Sequence, residues 1–316
     1  MAYKRALNSF IRHAAKVEAY NAKQRQIQQN IKSVEEYNSY INTITSYHKK
    51  VNSIAGWHNH LIISDVQEPT NLHTNEDRAK AKLESFNPNF LIRFLGLSSF
   101  FENRLKDSVQ AGNHKDTQAY NNALRKYQTL TKQIETNRRF LEGIKEKSQE
   151  IYTEILQEKI PFQNIGMCNR VNMEIFSNCI SADCKVADQD SVIPKNVLSN
   201  TQTGKLSIKD MPITKSHKLY QEYVCSCLIR TAREFFCLLP IEYVSVNAIV
   251  SGHNPQTGQD EDQPILSTLI SREQYNKIIF ENIDPVSCIE GLNFKMNFKR
   301  SEGFYKIERI ALPIES

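Results

Sequence analysis

Apolar residues in the first half of the chain recur every three or four positions. Ile27, Ile31, Val34, Tyr37, Ile41, Ile44 and Val51 trace one seam. The same spacing returns at Tyr120, Leu124, Tyr127, Leu130, Ile134, Leu141, Ile144, Ile151 and Ile155. Such a seam is narrower than the broad stripe of a globular helix and is of the coiled-coil type. No Pro or Gly interrupts residues 3–52, so the spacing predicts one helix there, roughly 70 Å long at 1.5 Å per residue. A helix of that length needs a packing partner. The second seam predicts a long helix over 120–155, and two matched seams in one chain predict an antiparallel α-helical hairpin or coiled coil. The connector reads as loop around Gly56 to His60 and Pro69, then as a helix start at Asn75-Glu76-Asp77-Arg78. Pro88 interrupts, and the strongly apolar Phe90-Leu91-Ile92-Arg93-Phe94-Leu95-Gly96 follows. A further helix is predicted from Ser98 to about Ala111, with Gly112-Asn113 as its stop.

The period changes after Glu158-Lys159-Ile160-Pro161-Phe162, where the residue before proline favours extended backbone. Val171–Ile175 and Cys179–Val186 read as short strands. A polar loop runs from Pro194 to Pro212. A helix from about Lys215 to Leu239 is apolar on most of its circumference, which predicts a central, buried element ended by Pro240. Tyr243–Val250 and Ile265–Ile270 form a predicted hairpin about the turn at Asn254 to Gly258. A helix near 271–280, a turn after Asp284-Pro285, and strands at 293–298 and 304–310 complete the order. The fold class is therefore α+β, with an elongated helical domain over 1–160 and a mixed domain over 161–316.

Charge divides at the same place. Residues 1–160 carry 24 Lys and Arg against 17 Asp and Glu, a net +7, and the remainder is −2. A basic excess fits an acidic partner, although one spread along helices also describes solvated helix faces. No window holds the about 18 to 20 apolar residues of a membrane span. The N-terminus is basic but leads into a polar helix, without the apolar core of a signal peptide. All seven cysteines lie after residue 167, among apolar neighbours, which predicts buried thiols in a reducing cytoplasm.

Certain strings are familiar. They are Thr203-Gly204-Lys205-Leu206-Ser207-Ile208-Lys209-Asp210-Met211-Pro212, Tyr220-Gln221-Glu222-Tyr223-Val224-Cys225-Ser226-Cys227 and Arg230-Thr231-Ala232-Arg233-Glu234-Phe235. With Leu239-Pro240-Ile241-Glu242, Gln263-Pro264-Ile265-Leu266-Ser267 and Ile283-Asp284-Pro285, they resemble an uncharacterised bacterial family. Trp57, Phe86-Asn87-Pro88 and Phe94-Leu95-Gly96 extend the resemblance over residues 40–310. It lacks the short leading domain of some members. The resemblance implies bacterial origin and a shared fold, and transfers no catalytic residue.

Candidate chemistry is sparse. Cys179, Cys184, Cys225 and Cys227 give C-x4-C and C-x-C, but zinc sites favour C-x2-C knuckles. Cys225 and Cys227 would point about 200° apart on a helix, so neither a metal nor a cofactor is expected. Asp183-x-Lys185 on a strand resembles the end of a metal-dependent nuclease motif, whose chemistry needs further carboxylates. Glu174 and Glu234 are the candidates. The Gly204-Lys205 pair lacks Walker spacing, yet its turn could hold a phosphate with Lys205, Lys209 and Lys215. Arg230 and Arg233 could hold an anion, or join a buried ion pair. His58 and His60 flank Asn59 without a third ligand nearby. No nucleophile elbow, dinucleotide fingerprint or kinase set is present.

These patterns lead to an expectation of a soluble, cytoplasmic, non-enzymatic interaction or scaffold protein. Its helices would drive oligomerisation or docking to a protein partner, and its C-terminal domain would recognise a protein or an anionic ligand. The alternative is a nucleic-acid-binding protein or metal-dependent nuclease, with defence against foreign DNA as the role it would serve. Helices lying on a membrane are disfavoured by their polar seams and the want of a Trp/Phe-rich basic face.

Overall fold

The computed structural model describes residues 2–51, 57–159, 168–254 and 258–313. The break at 160–162 and part of the 254–258 turn lie outside the described residues, as does the His60 side chain. A long helical N-terminal region precedes a sheet-containing C-terminal region, so the α+β class holds. Contacts divide the chain into two units, Met1–Trp57 with Ile144–Ser316, and His58–Gly143. That is a different division from the break at 160 read from the sequence, because the N-terminal helix packs on C-terminal elements.

In the first unit, α1 spans Ala2–Thr45 and a 3-10 turn follows at Tyr47–Lys49. Helix α5 (Gln149–Lys159) leads to strands β1 (Cys168–Ile175) and β2 (Cys179–Val186). After the short α6 (Gln189–Val192) come β3 (Asn196–Asn200) and β4 (Leu206–Asp210), an antiparallel hairpin where the sequence reads as polar loop. Then follow α7 (Ile213–Leu238), β5 (Tyr243–Asn254), β6 (Gln259–Ser271), α8 (Arg272–Lys277), α9 (Pro285–Glu290), β7 (Asn293–Lys299) and β8 (Gly303–Tyr305). The main sheet has six strands in the order β1-β2-β5-β6-β7-β8, and only β2 and β5 pair in parallel. That pair requires a crossover, and α7 supplies it.

Period-two alternation sorts the sheet's faces. Ile180, Ala182 and Cys184 lie level with Val244, Val246 and Ala248. These six side chains are buried on the face that packs against α7. The buried polar residues of α7 recruit neighbours. Ser226 Oγ accepts from the His48 backbone N–H at 2.9 Å and lies 2.9 Å from His48 Nδ1. Arg233 donates to the His48 carbonyl and stacks 4.1 Å over Phe280. Arg272 closes the C-terminal end of α7, donating from Nε to Ile241 O at 2.9 Å and from Nη1 to Phe236 O at 3.1 Å, with a further bond to Leu239 O. These bonds satisfy carbonyls that a helix end leaves without partners.

The seam of α1 finds a partner that the sequence did not name. Over residues 27–44 it packs on the β3–β4 hairpin and α7. Asn30 donates to Gly204 O at 3.0 Å, and Tyr40 to Val192 O at 2.7 Å. A side chain at Gly204, whose φ is +76°, would strike Ile27. The turn conformation and the close approach both call for glycine.

The second unit contains α2 (Thr74–Glu84), α3 (Phe90–Phe94) and α4 (Ser98–Lys145), whose last residues belong to the first unit. The helix stop expected at Gly112-Asn113 is absent, and α4 runs straight through it. Gly112 is needed there for a different reason. A Cβ would sit 2.8 Å from Asn75 O and 2.9 Å from Glu76 N, where the start of α2 rests on α4. One turn on, Asp116 accepts from the backbone N–H groups of Asn75 and Glu76, each at 2.9 Å, and from Asn75 Nδ2. A carboxylate from another helix thus caps α2, since His73 at the N-cap position makes no side-chain cap. These donors hold the Asp116 carboxyl below the usual carboxylate range.

Two outcomes follow. Alanine is the better helix former by about 1 kcal/mol, but its methyl would meet backbone at Gly112. Gly112→Ala should therefore destabilise the protein, by about 1–3 kcal/mol in urea unfolding. A gain in stability would exclude this close contact. For His48, burial first, then the charges of Lys49 and Arg233, hold the imidazole down to about 4. An unfolded histidine titrates near 6.5. Between these values the unfolded chain binds the extra proton, so stability falls as pH falls from about 6.5 to about 4, by up to roughly 3 kcal/mol. His48→Gln should flatten that part of the stability–pH curve, and an unchanged slope would assign the loss to other groups.

Candidate functional site

The face of the sheet opposite α7 is polar. Asn172, Asp183, Asn247, Ser267 and Lys295 are successive register partners across β1, β2, β5, β6 and β7. They form one row because each strand turns alternate side chains to the same side. The C-terminal segment, residues 306–313, crosses this face. Its Ile307 N–H donates to Pro264 O at 2.9 Å, and Lys295 Nζ lies 3.4 Å from Arg309 O.

A ring of hydrogen bonds ties segment and row together. Arg309 donates to both oxygens of Asp183, from Nε at 3.1 Å and Nη2 at 2.7 Å. Asn247 Nδ2 donates to Asp183 Oδ1 at 2.9 Å. Ser267 donates to Asn247 Oδ1 at 2.6 Å, and Ile310 N–H returns to Ser267 Oγ at 3.0 Å. Asn247 and Ser267 are buried, so their mutual satisfaction removes the cost of placing polar groups there. The Asp183–Arg309 pair is half exposed and bidentate, which fixes geometry more than it adds stability.

Beside the ring lies an open cleft of about 540 Å³, lined by Asn172, Met173, Glu174, Ser181, Asp183 and Arg309. It runs along β1, one of the two outer strands of the sheet. Glu174 is exposed there. The formal charge of the lining is negative, two carboxylates against one guanidinium.

The predicted site residues separate into groups. Asp183, Lys185 and Glu174 share the polar face, but Lys185 Nζ pairs with Asp262 at 2.9 Å and Asp183 is engaged by Arg309 and Asn247. Glu234 does not join them. It is fully buried on α7, on the other side of the sheet, with Arg230 Nε 3.6 Å away. An i, i+4 spacing on a buried helix brings that pair together and excludes a shared ion with Asp183. Arg230 and Arg233 are likewise internal, Arg230 beside Glu234 as the buried pair read from the sequence and Arg233 bonded to the His48 carbonyl.

Lys205, Lys209 and Lys215 are exposed on the β3–β4 turn, on β4 and at the first turn of α7. The backbone of that turn is committed internally. Gly204 N donates to Thr201 O at 2.9 Å, and Lys205 N to Thr201 Oγ1 at 3.1 Å. These amides are therefore not available to cradle a phosphate. Cys179, Cys184, Cys225 and Cys227 are buried. Burial pushes Cys225 far up, and Cys288 up to about 11, which keeps both protonated and poorly nucleophilic. Among the described residues no group of three His, Cys, Asp or Glu is placed to hold a metal ion.

Sequence reasoning found Asp183 but missed Arg309, Asn247 and Ser267. Only the strand register could have revealed Asn247 and Ser267, and Arg309 lies in a segment read as strand. Set against known proteins, the chain matches no family model, no curated protein and no solved structure.

Asp183→Ala and Arg309→Ala should each lower stability by about 1 kcal/mol, with the double variant little worse than either. Urea unfolding of the four proteins measures this coupling. Additive losses would mean that the pair does not tie the C-terminal segment to the sheet.

Proposed function

We propose that this protein is a non-enzymatic interaction protein, whose C-terminal α+β region recognises an extended protein segment in the cleft along β1. The observation that carries this reading is the cleft itself, open, polar and bordered by an outer strand. Outer strands offer unpaired backbone groups to which a partner segment can add, while pockets between side chains confer selectivity. The lining favours a basic side chain opposite Glu174 over the anionic ligand expected from sequence. The long helices would supply oligomerisation or further docking.

A second reading retains metal-dependent cleavage of nucleic acid, favoured by Glu174 and Asp183 sharing one cleft. Against it, Asp183 already accepts three hydrogen bonds, and a metal would have to displace Arg309.

A degenerate peptide library selected on the full-length protein tests both. Enrichment of extended peptides with a Lys or Arg at one position is expected, reduced on the order of tenfold by Glu174→Lys. No enrichment, or enrichment indifferent to Glu174→Lys, would remove the proposal. Mg²⁺-dependent cleavage of DNA or RNA that Asp183→Ala abolishes, with binding that weakens steeply with salt, would establish the second reading instead.

A further inference from the structure

The apolar run at 90–97, which a core would normally absorb, is on the surface. Phe90 and Phe94 are 78% and 77% exposed, and Leu91, Leu95, Leu97 and Phe100 are exposed with them. Their position explains why nothing in their own unit covers them. The start of α2 rests on α4 at Gly112 and Asp116. From there α2 runs 11 residues, about 16 Å, and α4 covers a similar length back from its first turns. Residues 85–97 join these two legs and form the tip farthest from their junction. Phe90 and Phe94 stack on each other at 6.1 Å between centroids, and Leu91 and Leu95 occupy the adjoining side of α3. The tip is thus a convex knob of aromatic and aliphatic side chains. A contiguous exposed apolar cluster marks a contact with a protein or with a lipid surface.

Charge distinguishes the two. Residues 85–101 contain no acidic residue, and their one charge is Arg93. Between residues 78 and 106 there are six Lys and Arg against two Glu, whereas the rest of the His58–Gly143 unit carries six against eight. Lys80 and Lys106 are paired to Glu76 and Glu102. Arg78, Lys82, Arg93 and Arg104 make no ion pair among the described residues. A Phe/Leu knob that carries Arg93, with Lys82 in the last turn of α2 and Arg104 in the second turn of α4, combines the two elements of peripheral membrane attachment, apolar insertion at the headgroup boundary and attraction to anionic lipid. Among the described residues no helix is long and apolar enough to cross a membrane, so the contact would be shallow.

We infer that residues 85–101 form an insertion tip that docks onto an anionic lipid surface. The inference is independent of the cleft along β1. It also revises the sequence-based view that no Phe-rich basic face exists, because that face lies at the turn between helices and not along either one.

The test is flotation of the full-length protein with vesicles of phosphatidylcholine alone and of phosphatidylcholine with phosphatidylserine. Binding to the anionic vesicles is expected, and Phe90→Ser with Phe94→Ser should reduce it at least tenfold while circular dichroism is unchanged. Arg93→Gln should weaken binding to anionic vesicles on the order of fivefold, and less in high salt. No flotation with either vesicle would overturn the inference, as would equal flotation of wild type and the double Ser variant. A dimer in sedimentation that the double variant dissolves, without vesicle binding, would show that a second copy covers the tip and would also overturn it.

Discussion

Helix α7 is enclosed along almost all of its length, and that enclosure sets what its neighbours must be. A helix buried around most of its circumference keeps little solvent face, so packing has to reach it from several directions. The sheet covers one side through Ile180, Ala182, Val244 and Val246. The turn after α1 and helices α5, α8 and α9 also lie against it. Polar groups inside this shell cannot fall back on water. Ser226 therefore holds His48, Arg233 holds the His48 carbonyl, and Arg272 closes the helix end. The position of α1, some 180 residues away in sequence, is a consequence of satisfying α7.

The His58–Gly143 unit answers a different constraint. Its described residues bury few large side chains, so a close approach of backbones does much to organise it. Gly112 lets backbone meet backbone, and Asp116 then reaches the exposed amides of α2. Both residues must be small or acidic for reasons that belong to another helix. A local reading sees Gly112-Asn113 as a stop, because it weighs conformational freedom and cannot see the approaching chain.

Elements with a strong period of their own were legible in the sequence. Helix α7 with its end at Pro240 and the strands β1 and β2 were read within a few residues, and the β5–β6 hairpin was found with shorter strands, whereas the two helices read over 98–111 and 120–155 are one helix, α4. The β3–β4 hairpin was not, since Asn196–Asn200 and Leu206–Asp210 are polar and pack on α1 rather than in the main sheet. Of the candidate site, alternation along one strand put Asp183 and Lys185 on one face, and Glu174 was added to them by chemistry alone. Their partners were not legible, because Arg309, Asn247 and Asp262 come from three distant segments, and register between strands is a tertiary fact. Glu234 was grouped with Asp183 by chemistry, while the fold sets them on opposite sides of the sheet.

That separation bears on what the polar face can do. Metal-assisted hydrolysis needs carboxylates whose lone pairs are free to bind an ion. At Asp183 the lone pairs are directed at Arg309 and Asn247, within a ring that also fixes the C-terminal segment. Opening the site to an ion would strip Asp183 of its cation and release the segment that covers Ser267. Among the described residues Glu174 makes no such bond, and it lines the cleft from an outer strand. The same row thus contains one carboxylate engaged in holding the fold and one turned to solvent. Recognition of an arriving chain asks only for the second, and leaves the ring intact.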